Sequence, residues 1–393
     1  MFPAAGWPVA LAVALLAGCA TPVPTPGPPD SLPAPAAEPV VEVTPVPSAE
    51  DLAAERQARL ACERISIAAV GDIMLGTDYP ETRLPADDGR GQLSAASAVL
   101  KAADVAFGNV EGVLMDGGEA VKVCKDPSAC YLFRSPARYA RTLADAGFTV
   151  VSLANNHARD FGEEGRGASM RALDDAGIRH SGRQGDIASW TQGELRLAMI
   201  AFSPFSGSWP MLDEVAATTA VRELAASHDV VIVSFHGGGE GAEAQRIPFT
   251  IERYYGENRG DVVQFAHSMI DAGADLVIGH GPHVPRAMEL YRGRLAAYSL
   301  GNFATWYGIS VADAKGYAPI LTAELDGNGE LVTGAVVSMQ QQRPDGPRPD
   351  ATQQAWRMIQ RLTALDFPEG KLELADSGEF RPGFRPAASC ETP

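Results

Sequence analysis

The stretch GADLVIGHGPHVPRAMELYRGRLAAYSLGNF (273–303) decides the fold. It opens on a glycine, passes through a short apolar run at 276–278, and places His280 and His283 directly beyond that run. A glycine there caps a preceding helix, so the order reads helix, cap, buried strand, then polar residues at the strand's carboxyl end. After His283 the pattern turns to strands at 287–291 and 294–299, joined by a Tyr-Arg-Gly-Arg turn with hairpin chemistry.

The same grammar repeats upstream. Apolar or β-branched runs at 65–70, 105–107, 149–153, 197–202 and 230–235 predict strands, and amphipathic stretches at 93–102, 137–146, 163–176, 218–226 and 261–272 predict helices. Three of those helices end in Ala-Gly, at 146–147, 176–177 and 272–273. Downstream, 320–325 and 331–340 read as strands around an Asp-Gly-Asn-Gly turn, and 353–365 reads as a last helix. The alternation predicts an α/β domain without a repeat or an internal boundary between 65 and 340.

In an open α/β sheet, ligands bind beyond the carboxyl ends of the strands. Five of the predicted strands lead there into Asp72, into Asn109 and Glu111, into Asn156 and His157, into His236, and into His280. Together with His283, the residues Asp72, Glu111, Asn156, His236 and His280 offer three imidazoles, two carboxylates and a carboxamide. That set suits Zn, Mn or Fe; it is too rich in nitrogen for Ca and lacks the thiolate of a copper site. Six donors exceed one tetrahedral ion and match a pair of divalent ions about 3.5–4 Å apart.

Composition bounds the partners. The 393 residues carry a formal net charge of −17 and no Lys/Arg run, which excludes nucleic acid as the expected partner. At the N-terminus, 9–17 is apolar and ends in Leu-Ala-Gly-Cys, although no Lys or Arg precedes it. This resembles a lipoprotein signal peptide over 1–18, with cleavage before Cys19 and lipidation of its thiol; it is too short to span a bilayer. Residues 19–60 follow as a Pro-rich disordered tether, 61–345 as the folded domain, and 346–393 as a C-terminal helix and tail packed on it. The expected location is the extracytoplasmic cell envelope, attached to membrane through the lipid. There the remaining four cysteines allow three pairings, of which Cys124–Cys130 and Cys62–Cys390 are expected.

The blocks GDIMLG (71–76), GNVEG (108–112), LANNHARDFG (153–162), SFHGGGE (234–240), GHGPHV (279–284) and YSLGNF (298–303) resemble, in order, the signature of the CapA family of bacterial capsule and poly-γ-glutamate biosynthesis proteins, relatives of calcineurin-like metallophosphoesterases. The resemblance implies a metallophosphoesterase-like β-sandwich of mixed sheets flanked by helices, with a dinuclear centre at the strand ends. By position, Asp72 would bind the first ion, Glu111 would bridge, Asn156, His236 and His280 would hold the second, and His283 would return to the first. His157 matches the histidine that protonates a leaving group, or else plays a structural part. Asn109, Asp160, Glu240 and Asn302 match groups that orient ligands or substrate, with loop capping as the alternative for Asp160 and Asn302.

The chain departs from that pattern at four places. Met74 stands where the phosphoesterases carry a histidine, Glu111 where they carry Asp, Gly237-Gly238-Gly239 where the family has Trp after the histidine, and Gly281 where it has a third imidazole. The triple glycine is expected to form a flexible loop. The function implied is metal-assisted hydrolysis or transfer on an anionic polymer such as poly-γ-glutamate or a capsule component, with envelope synthesis machinery as partner. The alternatives are a non-catalytic, metal-stabilised component of polymer assembly or export, and a metal-dependent phosphodiesterase.

Overall fold

The computed structural model describes residues 48–123 and 130–383, with the isolated positions 25 and 27. The signal peptide, Cys19, nearly all of the tether up to residue 47, Cys124 and Cys390 lie outside the described residues. The chain divides into two units, Met1–Ser48 and Ala49–Pro393, and the fold and site below belong to the second.

The helices are α1 (Ala49–Leu60), α2 (Arg90–Leu93), α3 (Ser97–Ala102), α4 (Tyr139–Ala146), α5 (Gly162–Ala176), α6 (Glu214–Ala225), α7 (Val262–Ala272) and α8 (Gln354–Asp366). The strands of the two large sheets are β1 (Arg64–Met74), β2 (Val105–Val110), β3 (Val150–Ser152), β4 (Arg179–Ser181), β5 (Ala188–Gln192), β6 (Leu195–Ser203), β7 (Val230–His236), β8 (Leu276–His280), β9 (Met288–Tyr291), β10 (Arg294–Ala297), β11 (Asn302–Thr305), β12 (Ile320–Asp326), β13 (Leu331–Val337), β14 (Leu372–Leu374) and β15 (Glu379–Pro382). One sheet runs β14-β15-β13-β12-β1-β2-β3-β4, with β11 paired to the end of β1; the other runs β9-β10-β8-β7-β6-β5, with a further two-residue strand, Trp209–Pro210, paired to the end of β6. Both are mixed. β1 through β4 are parallel neighbours, as are β6, β7, β8 and β10, while β12 and β5 run antiparallel against them.

Strand periodicity explains the layering. Ile65, Ile67 and Ala69 of β1 share one core with Leu197, Met199 and Ala201 of β6, Val230 and Ile232 of β7, and Leu276 and Ile278 of β8. Their alternate neighbours, Ala68 and Val70, pack under α3, α4 and α5, and Val231, Val233 and Val277 pack under α6 and α7. The result is a β-sandwich with helices on both outer faces. Each fully buried Val, Leu, Ile, Phe or Met there contributes about 1.5–3 kcal/mol. Because side chains repeat every two residues, Asn109, His236 and His280 continue the inward-facing series of their strands. They therefore stand where the central core ends.

Three stretches differ from expectation. The helix read over 93–102 is two, α2 and α3, because the Ser94 hydroxyl bonds back to Gly91 O at 2.8 Å and Ala96 N closes a turn on Leu93 O. The strand read over 331–340 breaks at Ser338, whose Oγ accepts from Ala355 N at the start of α8. Residues 49–60, counted with the tether, form α1, which is docked through Arg56 on Asp229 at 2.6 Å and Leu60 O on Gly327 N at 2.8 Å. The Ala-Gly punctuation is present as read, with Gly147, Gly177 and Gly273 as left-handed C-caps. Cys62 and Cys130 each take part in a disulfide. Among the described residues no helix is long and apolar enough to cross a membrane.

Candidate metal centre

Strand pairing brings the sequence blocks together. Asp72 is in register with Asn109 on β2 and with Asn302 on β11, while His236 on β7 faces His280 on β8. The Asp72 position requires Gly71, since a Cβ there would lie 1.9 Å from Gly301 O; that approach lets Asp72 N donate to Gly301 O at 2.9 Å.

Asp72, Glu111 and His283 each offer a donor atom within 4.8 Å of the others. Asp72 Oδ2 lies 3.0 Å from His283 Nδ1, Asp72 Oδ1 lies 3.4 Å from His280 Nδ1, and Glu111 Oε1 lies 3.7 Å from His283 Nε2. The His236 and His283 rings are 6.4 Å apart. Asn109 Nδ2 donates to Asp72 Oδ1 at 2.9 Å, and Asn302 Oδ1 meets His283 Nδ1 at 3.0 Å.

The polar atoms without hydrogen bonds mark this group as a candidate for a cation. Both oxygens of Glu111, both ring nitrogens of His236, both of His280, and Oδ1 of Asn156 are buried without a hydrogen-bond partner. An unpaired buried polar group costs about 1–3 kcal/mol. Seven such atoms on four residues read as ligands for the same centre make a divalent cation fit this donor set.

The electrostatics agree. Burial pushes the Asp72 carboxyl up, but contacts with His280 and His283 more than reverse this and hold it far below the usual range. Burial, reinforced by Asp72 and Glu240 and opposed by His283, pushes Glu111 up to about 8. Burial opposes charge on His283, yet Glu111, Asp72 and Glu240 raise it to about 10. Burial lowers His236 well below the ordinary imidazole range. The upward shifts on Glu111 and His283 both favour added positive charge among Asp72, Glu111 and His283.

His157 stands beside Asn156 with a partner of its own. Its Nδ1 is 2.7 Å from Asp160 Oδ2, and the Phe133 ring lies 4.4 Å away, centroid to centroid. Burial lowers the His157 pKa against the opposing charge of Asp160. Sequence reasoning missed Lys122, whose Nζ reaches Asp160 Oδ1 at 2.8 Å and Asn156 O at 3.0 Å. It also missed Arg259, on the hairpin of Glu252–Tyr254 and Glu257–Gly260, which holds Glu240 Oε1 at 2.7 Å. Neither follows an apolar strand, so strand-end inspection passes over both. Asn155 lay in plain view in LANNHARDFG; it donates to Asn109 Oδ1 and Val110 O.

The glycine departures form one feature, and the expectation of a flexible loop at 237–239 is corrected. Gly237 N donates to His280 O, Gly238 N to Arg259 O and Gly239 N to Glu252 Oε2. Gly281 has φ +115°, and a Cβ on it would lie 2.6 Å from Gly237 O. A side chain at 237 would itself strike Met211 Sδ at 2.7 Å. The third imidazole and the tryptophan are therefore absent together, because the two loops touch backbone to backbone. Phe205, from the loop after β6, supplies the aromatic neighbour of His236, its centroid 6.1 Å from that ring.

Residues 66–307, more than half of the chain, match the family model described as bacterial capsule synthesis protein PGA_cap. The chain belongs to this family. It is 27% identical over 257 residues to the capsule biosynthesis protein CapA of Bacillus anthracis, which covers 61% of this chain and 60% of that protein. It is 28% identical over 257 residues to the PGA biosynthesis protein CapA of Bacillus subtilis, covering 61% and 63%. The chain thus spans less than two thirds of the length of these curated relatives. Among solved structures it is similar to a putative 5'-nucleotidase from Staphylococcus aureus, at 13% identity and a TM-score of 0.40, covering 76% of this chain and 58% of that one.

Proposed function

We propose that this PGA_cap family member holds one or two divalent ions, Zn, Mn or Fe, through Asp72, Glu111, Asn156, His236, His280 and His283. We further propose that it hydrolyses or transfers a bond of an anionic envelope polymer of the poly-γ-glutamate or capsule class. The observation that carries this reading is the set of buried donors on Glu111, Asn156, His236 and His280 that lack hydrogen bonds. The names of the relatives support the polymer class.

Such an ion would supply Lewis-acid charge and would lower the pKa of a coordinated water toward neutrality. The chain's own residues do the rest. Asn109 and Asn302 orient Asp72 and His283. Asp160 accepts the Nδ1 proton of His157, which leaves Nε2 as the atom that takes up a proton and passes it to a leaving group. Residues 1–18 act as the signal peptide and Cys19 as the lipid attachment, holding the domain at the extracytoplasmic face. Cys62 pairs with Cys390, and Cys130 with Cys124.

The test is elemental analysis of the purified protein, followed by cleavage assays on poly-γ-glutamate with and without chelator. The expected result is bound Zn, Mn or Fe, and polymer shortening that chelator abolishes and the same ion restores. His280→Ala is expected to lose ion and activity together; full activity in that variant would refute the ligand assignment.

A further inference from the structure

Glu240 enters the centre from the triple-glycine loop in a way that goes beyond orienting other groups. Its Oε2 lies 3.8 Å from His283 Nε2, and Glu111 Oε1 lies 3.7 Å from the same nitrogen. Both distances exceed the span of about 2.7–3.2 Å for an N–H···O hydrogen bond. Taken pair by pair they match the separation of about 3.4–3.8 Å between two donors that each sit about 2.1 Å from one ion at a wide angle; Glu240 lies outside the group of Asp72, Glu111 and His283 whose donor atoms are all within 4.8 Å of one another, so its carboxylate has to close in on the ion. The rest of each side chain is already committed. His283 Nδ1 faces Asp72 and Asn302, which leaves the Nε2 lone pair. Glu240 Oε1 accepts from Arg259, which leaves Oε2. Glu111 is 1% exposed and neither of its oxygens has a hydrogen-bond partner.

What holds Glu240 there is a second, fully buried ion pair. Arg286, three residues after His283, is 0% exposed and grips Glu252 with two nitrogens, Nη1 to Oε1 at 2.8 Å and Nη2 to Oε2 at 2.6 Å. Its Nε donates to Ala244 O at 2.6 Å, beyond the loop, and Glu252 Oε2 also accepts from Gly239 N at 2.8 Å. Gly241 N donates to Pro282 O at 3.0 Å on the far side of Glu240. A buried ion pair returns little net stability after desolvation, so its consequence here is geometric. It ties the segment carrying His283 to the residue next to Glu240.

We propose that Glu240 is a ligand of the ion held by His283 and Glu111, and that the Arg286–Glu252 pair positions it. This rests on the metal-centre reading above. It gives the His283 side a fourth donor, beside Asp72, Glu111 and His283, and assigns the triple-glycine loop a task, the delivery of a carboxylate on a pinned backbone.

The test is calorimetric titration of the chelated full-length protein with Zn and with Mn, alongside visible absorption spectra of the Co-loaded protein. The proteins compared are the parent, Glu240→Gln, Glu252→Gln and the double variant. Glu240→Gln is expected to weaken binding about tenfold to a hundredfold and to change the Co spectrum, while circular dichroism stays that of the parent. Glu252→Gln is expected to weaken binding in the same direction, and the double variant to bind no more weakly than Glu240→Gln alone, because positioning acts only through the ligand. Parent-like affinity and spectrum in Glu240→Gln overturn the ligand assignment. Additive losses in the double variant overturn the positioning role. If Glu252→Gln does not fold, Arg286→Lys, which keeps the buried charge but not the two-pronged grip, completes the same cycle. A parent protein that takes up no ion sinks the metal-centre reading itself, an outcome distinct from either of these.

Discussion

Asp72 and Asn302 face each other across the parallel pairing of β1 and β11 and share one imidazole: Asp72 Oδ2 and Asn302 Oδ1 each lie 3.0 Å from His283 Nδ1. The Asn302 amide is itself anchored on His283 O, Ser310 O and Lys315 O. His283 sits at φ +59°, a left-handed conformation rare for a residue with a side chain. Ring and backbone are thus both held in place by neighbours.

Removing one of those neighbours should be felt at the ion and not at the fold. Asn302→Ala is expected to weaken divalent-ion binding about tenfold to a hundredfold, the usual cost of losing a group that orients a ligand. Titration calorimetry on Asn302→Ala reads this directly. An affinity equal to the parent's would show that Asp72 alone orients the ring.

The proton balance sets a pH dependence with a definite sign. Glu111, raised to about 8, and His283, raised to about 10, both bind protons more tightly in the folded state than in the unfolded chain. Stability from a raised group is complete below its unfolded pKa and lost as pH rises through its folded one. Below about pH 6.5 the lowered pKa values of His236 and His157 act with the opposite sign, so the chelated protein should lose Tm from about pH 7 to about pH 9. In Glu111→Gln the slope should shrink. Thermal unfolding of both proteins across that range checks it, and a Tm that rises with pH would contradict the assignment.

The Gly281 contact predicts a clash that can be separated from backbone strain. Gly281 and Gly256 both have positive φ, +115° and +78°, but a Cβ on Gly256 meets nothing within 4 Å while one on Gly281 strikes Gly237 O. Gly281→Ala should cost about 2–4 kcal/mol and Gly256→Ala about 1 kcal/mol. Denaturant unfolding of the two variants gives the comparison. Equal losses would mean that the loops separate without penalty.

The same contact shows where sequence reading ended. Strand periodicity and Ala-Gly caps were legible because each is set by residues close in the chain, and they sufficed to bring Asp72, Glu111 and His283 to one edge. The helix at 49–60 was not legible, since its place rests on Asp229 and Gly327, far away in sequence. The triple glycine read as slack because composition carries no record of the Glu252 carboxylate and the His280 carbonyl that take up its amides. Lys122 and Arg259 were missed for a related reason. Each reaches the centre from a segment with no strand of the large sheets ahead of it, so only the folded chain reveals the contact.

His157 offers a way to separate proton transfer from ion binding. Its Nδ1 is taken by Asp160, and it does not belong to the group formed by Asp72, Glu111 and His283. His157→Ala should therefore keep the ion content of the parent while lowering turnover about 10²–10⁴-fold, the range expected of a positioned acid or base. Asp160→Asn should move turnover in the same direction, because an amide in place of the carboxylate no longer fixes the Nδ1 proton. It should also cost stability, since Asp160 Oδ2 accepts from Phe133 N at 2.9 Å and Oδ1 pairs with Lys122 at 2.8 Å. Parallel measurements of ion content and turnover decide the matter. Loss of the ion in His157→Ala would make His157 part of the ligand scaffold, and unchanged turnover would remove it from the chemistry.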